Sequence, residues 1–140
     1  MIKYKKLPEN IEELLPQAET FLKSRPDVLF AYLFGSLAKG KPRPMSDVDI
    51  AVCLSEDSNM AEKKMELMGR LADILKTDEI DLVILNSAPL TLRMKILENK
   101  KIIADNAPFA RHAYESLTMR KYFDFSISEM NILERRFLHG

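Results

Sequence analysis

The seven residues from Val28 to Phe34, VLFAYLF, carry one hydroxyl and no charge, and they stop at Gly35. A run this short and this apolar reads as a strand buried on both faces. Two comparable runs follow. From Asp47 to Leu54 the chain alternates, with Val48, Ile50, Val52 and Leu54 on one side and Asp47, Asp49, Ala51 and Cys53 on the other. Ile80 to Leu85, IDLVIL, is the third run, with Asp81 on the side of Val83 and Leu85. Lys101 to Ala104, KIIA, makes a short fourth that ends at Asp105-Asn106.

Helical periods separate these runs. Ile11, Leu14, Leu15, Ala18, Phe21 and Leu22 fall on one helix face within residues 8–24. Pro16 lies inside that pattern and is expected to kink or divide it. A short helix is expected from Ser36 to about Lys39, before a loop. Asn59 and Glu62 form a capping box ahead of a helix that carries Met60, Met65, Met68, Leu71, Ala72 and Leu75. Ser87-Ala88-Pro89 opens another, to about Glu98. Ser126 and Glu129 form a second capping box, with Phe125 and Met130 as its hydrophobic staple, which predicts a separate last helix from about Ile127 to Leu138. The expectation is an α/β (α+β) domain over residues 1–140: a small mixed sheet with helices on one side, and residues 107–140 as a C-terminal helical tail.

Composition narrows the functions open to such a domain. Lys+Arg and Asp+Glu number 21 each among 140 residues. Bulk electrostatic capture of nucleic acid needs a basic excess, so no stable nucleic-acid binding is expected. The one cysteine, Cys53, allows no internal disulfide and no Cys-based zinc site. The opening MIKYKKLPEN has charge without a following apolar stretch, and no run approaches the roughly 18 apolar residues of a membrane span. A cytoplasmic location is expected.

The chemistry concentrates between Gly35 and Asp49. Gly35-Ser36 is followed by ten residues and then by Asp47-Val48-Asp49. Asp47 and Asp49 leave the same side of a strand, where two close anions repel unless a cation or proton is shared. Alone, such a pair can equally begin an exposed strand edge. Asp81 adds a third acid on another strand; its neighbours Asp78 and Glu79 also fit a solvated acidic turn, yet an acid inside IDLVIL is costly without a partner. Three hard oxygen donors suit Mg²⁺, and two such ions about 4 Å apart would serve an in-line phosphoryl displacement. Glycine at position 35 lets backbone approach a ligand, and the helix opening at Ser36 offers free N–H groups to phosphate. Lys39, Lys41 and Arg43 add positive charge. A nucleoside triphosphate with Mg²⁺ joins the two ends of this stretch.

Gly35-Ser36, ten residues, Asp47-x-Asp49 and a later strand acid at Asp81 together resemble the nucleotidyltransferase superfamily that includes DNA polymerase β. AYLFGS and SDVDIAV resemble its minimal nucleotidyltransferases (MNT), and among these the MntA antitoxins that pair with HEPN-domain toxins. The resemblance covers residues 10–104 and fades in the tail. It implies a polymerase β palm-like fold and an Mg²⁺-dependent transfer of AMP from ATP with loss of pyrophosphate. It implies that Asp47 and Asp49 ligate two metal ions, and that Asp81 ligates the catalytic one and helps take the acceptor's proton. Gly35 and Ser36 would hold the β- and γ-phosphates, with Arg43 and Ser46 lining the triphosphate. The implied acceptor is a tyrosine of a HEPN ribonuclease toxin, silenced by adenylylation. Two rivals stand beside this reading: an adenylyltransferase for a small hydroxyl compound such as an antibiotic, and an antitoxin that neutralises by binding alone. The aromatic tail (Tyr114, Tyr122, Phe123, Phe125, Phe137) either packs on the sheet or offers an apolar surface to a toxin or a second copy.

Overall fold

The computed structural model describes residues 8–40, 47–55 and 59–138. In chain order the elements are α1 (Ile11–Ser24), β1 (Val28–Phe34), α2 (Gly35–Ala38), β2 (Val48–Leu54), α3 (Met60–Leu75), β3 (Ile80–Ile84), α4 (Leu90–Glu98), β4 (Lys101–Asp105) and α5 (Pro108–Leu138). The sheet has four strands in the order β3-β2-β1-β4. β1 pairs antiparallel with β2 and β4, whereas β2 and β3 run parallel. A parallel pair cannot be joined by a tight turn, and α3 makes the crossover. The expected mixed sheet is therefore present.

Helices cover both faces of this sheet, where the sequence reading placed them on one side. On the first face Ile11, Leu14, Ala18 and Leu22 of α1 and Leu67, Leu71 and Leu75 of α3 pack against Ile50, Val52, Leu54 and Leu82. On the second, Ile96 and Leu97 of α4 and Tyr114 of α5 cover Phe30, Tyr32, Ala51 and Cys53. The reason is β1 itself. Phe30, Ala31 and Tyr32 are each 0% exposed, so successive side chains that point to opposite faces both need cover.

Two further departures have different causes. α1 runs through Pro16 as one helix. An interior proline costs about 3 kcal/mol, but the buried Ile11, Leu14 and Leu22 of α1 contribute roughly 1.5–3 kcal/mol each. The tail is one helix of 31 residues, with no break at Ser126. No Pro or Gly follows Pro108 within it, so nothing forces the chain out of helix and the second capping box goes unused. The first box supplies its N-cap bond, with Asn59 Oδ1 accepting from the Glu62 N–H at 3.2 Å.

α5 is fixed to the sheet through its first half only. The Tyr114 hydroxyl donates to the Leu85 carbonyl at 2.9 Å, and the Tyr32 hydroxyl donates to the Glu115 carboxylate at 2.6 Å. Beyond Thr118 no described side chain of α5 is buried. No helix among the described residues is long and apolar enough to cross a membrane.

Candidate active site

Three strand positions lie side by side at one end of the second face. Phe34 of β1 pairs with Asp49 of β2, and Asp49 pairs with Asp81 of β3. The parallel register therefore carries two carboxylates to the same level of the sheet, although 31 residues separate them in the chain. Gly35 follows Phe34 directly, at φ +74°. A Cβ at Gly35 would run into the Asp49 carboxylate. Glycine is required twice here, for the left-handed backbone and for the space.

These residues open onto a cavity of about 310 Å³. Phe34, Gly35, Asp49 and Asp81 form its sheet side, Lys39 reaches it from the end of α2, and α4 closes it with Leu92, Lys95, Ile96 and Asn99. Two carboxylates and two ammonium groups thus share one concave space. The acids suit a hard cation and the lysines suit phosphate oxygens. Asp49 is half-buried and Asp81 exposed, so the cavity grades from a sheltered end at Gly35 to an open end at Asp81. A second cavity, of about 470 Å³, begins at Asp81 and Leu92 and runs along β3.

Not every expected residue meets there. Asp47 immediately precedes β2 and is half-buried, and Ser36 is half-buried in the first turn of α2. Neither belongs to the lining of the cavity. Arg43 and Ser46, like Lys41, lie outside the described residues. As the side chains stand, no three His, Cys, Asp or Glu among the described residues form a ready metal cluster. The donor chemistry nevertheless fits Mg²⁺: carboxylates alone, two of them in register, open to water, with neither His nor Cys in the cavity.

Lys95 and Asn99 escaped the sequence reading because no motif contains them. Their signal was the spacing Leu92, Lys95, Ile96, Asn99, one helical stripe with both apolar and polar members. Cys53, on the same sheet face, is buried, which pushes its thiol up to about 11. It stays neutral and packs as an apolar group.

The family model Polymerase beta, Nucleotidyltransferase matches residues 17–108, a span that contains every residue lining the smaller cavity. The protein adenylyltransferase MntA of Shewanella oneidensis is 38% identical over 76 residues, which are 54% of this chain and 53% of that protein. The match thus spans about half the length of that curated relative. A chain from a crystal structure of a toxin–antitoxin with AMP-PNP superposes at TM-score 0.65 and 26% identity, over 91% of this chain and 97% of the other. A chain from the toxin–antitoxin MntA-HepT superposes at TM-score 0.64 and 25% identity, over 87% and 96%.

Proposed function

The chain belongs to the polymerase β nucleotidyltransferase family, and on that premise we propose that it transfers AMP from ATP to a tyrosine hydroxyl of a HEPN ribonuclease toxin, as that toxin's antitoxin. The observation that carries the reading is the pairing of Asp49 with Asp81 beside Gly35, in one cavity with Lys39 and Lys95. The similarity to a protein adenylyltransferase and to chains of toxin–antitoxin structures, one with AMP-PNP, supports a toxin as acceptor and an adenine nucleotide as donor.

Asp49 and Asp81 would hold Mg²⁺, with Asp47 completing the set by turning its carboxylate toward them. Bound there, two Mg²⁺ ions would neutralise charge on the attacking and leaving oxygens. The Gly35 and Ser36 backbone cradles the terminal phosphates, which Lys39 and Lys95 neutralise, and Arg43 and Ser46 line the triphosphate. The acceptor oxygen attacks the α-phosphorus as the bond to the β-phosphate oxygen breaks. Pyrophosphate leaves, and the acceptor's proton passes to the Asp81 carboxylate, the member of the pair open to solvent. The toxin docks on the exposed distal half of α5, where Met119, Phe123, Ile127, Met130 and Leu133 share a helical stripe.

Intact mass of the toxin after incubation with the protein, ATP and Mg²⁺ tests this. A gain of one or more AMP units, lost with Asp49→Asn, is expected. A stable complex without mass gain, still neutralising the toxin with Asp49→Asn, would replace the enzyme by a binding antitoxin. Neither gain nor complex would point to a small hydroxyl acceptor.

A further inference from the structure

The larger cavity runs along the outer edge of β3, and we propose that it is the acceptor subsite: an extended segment of the protein substrate adds to β3 as a further strand and so brings its hydroxyl to Asp81. The inference rests on the protein-adenylylating reading above and says how that acceptor is held.

Among the described residues β3 pairs only with β2. The alternation of that ladder fixes which groups are used. The Glu79 carbonyl accepts from the Val48 N–H, and the Leu85 N–H donates to the Val52 carbonyl, both toward β2. Odd-numbered positions of β3 therefore face β2 and even-numbered ones face outward. The Ile84 carbonyl is taken by the Ser87 N–H. Among the described residues this leaves the C=O of Ile80, the N–H and C=O of Leu82 and the N–H of Ile84 on the outer edge. A row of acceptor, donor, acceptor and donor at strand spacing is complementary to the backbone of an extended chain, whatever its side chains.

The surroundings fit the same occupant. Ala61 and Lys64 of α3 wall the cavity on one side, and Pro89 and Leu92 stand at the α4 end. The small Ala61 leaves room for an added strand. Lys64 is exposed and sets a cation beside it, which suits an acidic side chain near the acceptor hydroxyl. Asp81 and Leu92 line this cavity and the nucleotide-side cavity alike. A segment lying along the edge thus ends where the α-phosphorus would be attacked. Backbone pairing would fix the Cα of an acceptor tyrosine while its rigid ring spans to Asp81.

The test compares AMP transfer to the toxin by the unaltered protein, by Ala61→Arg, which fills the subsite, and by Lys64→Glu, which reverses its charge. Both positions are exposed on α3, and thermal melting confirms that each variant folds. The expected result is a fall of roughly tenfold or more in kcat/KM for the toxin, with ATP affinity unchanged. Amide exchange in the complex with the Asp49→Asn protein supplies the second readout. Leu82 and Ile84 amides should slow on toxin binding, while Val83, already paired to β2, should not. Full transfer by Ala61→Arg, or unchanged exchange at Leu82 and Ile84, would overturn the subsite and leave the adenylylation reading standing. No transfer by the unaltered protein would overturn both.

Discussion

Gly35 and Asp49 are in contact so close that the glycine's missing side chain is the space the carboxylate occupies. The register of β1 and β2, with Phe34 opposite Asp49, sets this contact. It ties the glycine turn to the Asp49 carboxylate without an intervening residue.

Gly35→Ala should therefore damage the site more than the fold. A left-handed non-glycine residue costs about 1–2 kcal/mol, which thermal melting would register as a modest drop. The displaced Asp49 carboxylate should cost activity on the order of a hundredfold, since a misplacement of about 1 Å carries that penalty. AMP transfer rates compared with melting temperatures check both halves.

Asp81→Asn keeps the shape of an exposed side chain and removes its charge. Stability should stay within about 0.5 kcal/mol of the original. AMP transfer should fall at least roughly a hundredfold if Asp81 holds metal and takes the acceptor's proton. ATP binding without Mg²⁺ should persist in Asp81→Asn, and calorimetric titration with and without the metal separates the two effects.

Tyr32→Phe removes the hydroxyl that donates to Glu115 inside the second face. Hydrogen bonds to charged groups contribute about 1.5–3 kcal/mol, so a loss of that size is expected in urea unfolding. AMP transfer at a temperature where the variant is folded should be nearly unchanged, because neither residue lines the cavity.

Glu115 makes that network sensitive to acid. Burial alone would raise its pKa, but the Tyr32 hydrogen bond and the charges of Lys100 and Arg111 outweigh it and hold the carboxyl below the ordinary 4.5. Arg111 stands 3.1 Å away and Lys100 3.6 Å. A depressed folded pKa contributes stability that is fully present above the unfolded value. That contribution is lost as pH falls through 4.5 toward the folded value. Urea midpoints measured from neutral pH down to about pH 3 should fall, and fall less in Glu115→Gln.

Phe123→Ser and Met130→Ser lie on the exposed stripe of α5, at 65% and 60% exposure. Each should leave the melting temperature near its original value. Toxin affinity, read by calorimetry, should weaken roughly tenfold or more if the stripe is the docking surface. Unchanged affinity would move the toxin to another face.

The strands were legible as short, mostly apolar runs closed by Gly35, Ser55, Asn86 and Asp105-Asn106; Gly35 was legible as the stop after VLFAYLF, and Asp49 and Asp81 because strand alternation fixes their side. Most of what local patterns missed was decided by packing. A continuous helix through Pro16 depends on Ile11, Leu14, Ala18 and Leu22 finding α3 and the sheet. The helix across Ser126 depends on nothing interrupting it. The second helical layer follows from the burial of Phe30 and Tyr32, which the run VLFAYLF already required, although the one-sided layout expected at first left that demand unmet. Lys95 and Asn99 join the site only because α4 lies over the sheet, and no single-residue signal carries that.

The parallel pairing of β2 with β3 bears on how the protein is born. An emerging chain can set Gly35 against Asp49 as soon as β1 and β2 meet. Asp81 arrives only after α3 has been made and folded back, and Lys95 and Asn99 come later still. The cavity therefore closes late in synthesis, and an incomplete chain on the ribosome holds one carboxylate of the pair without the other.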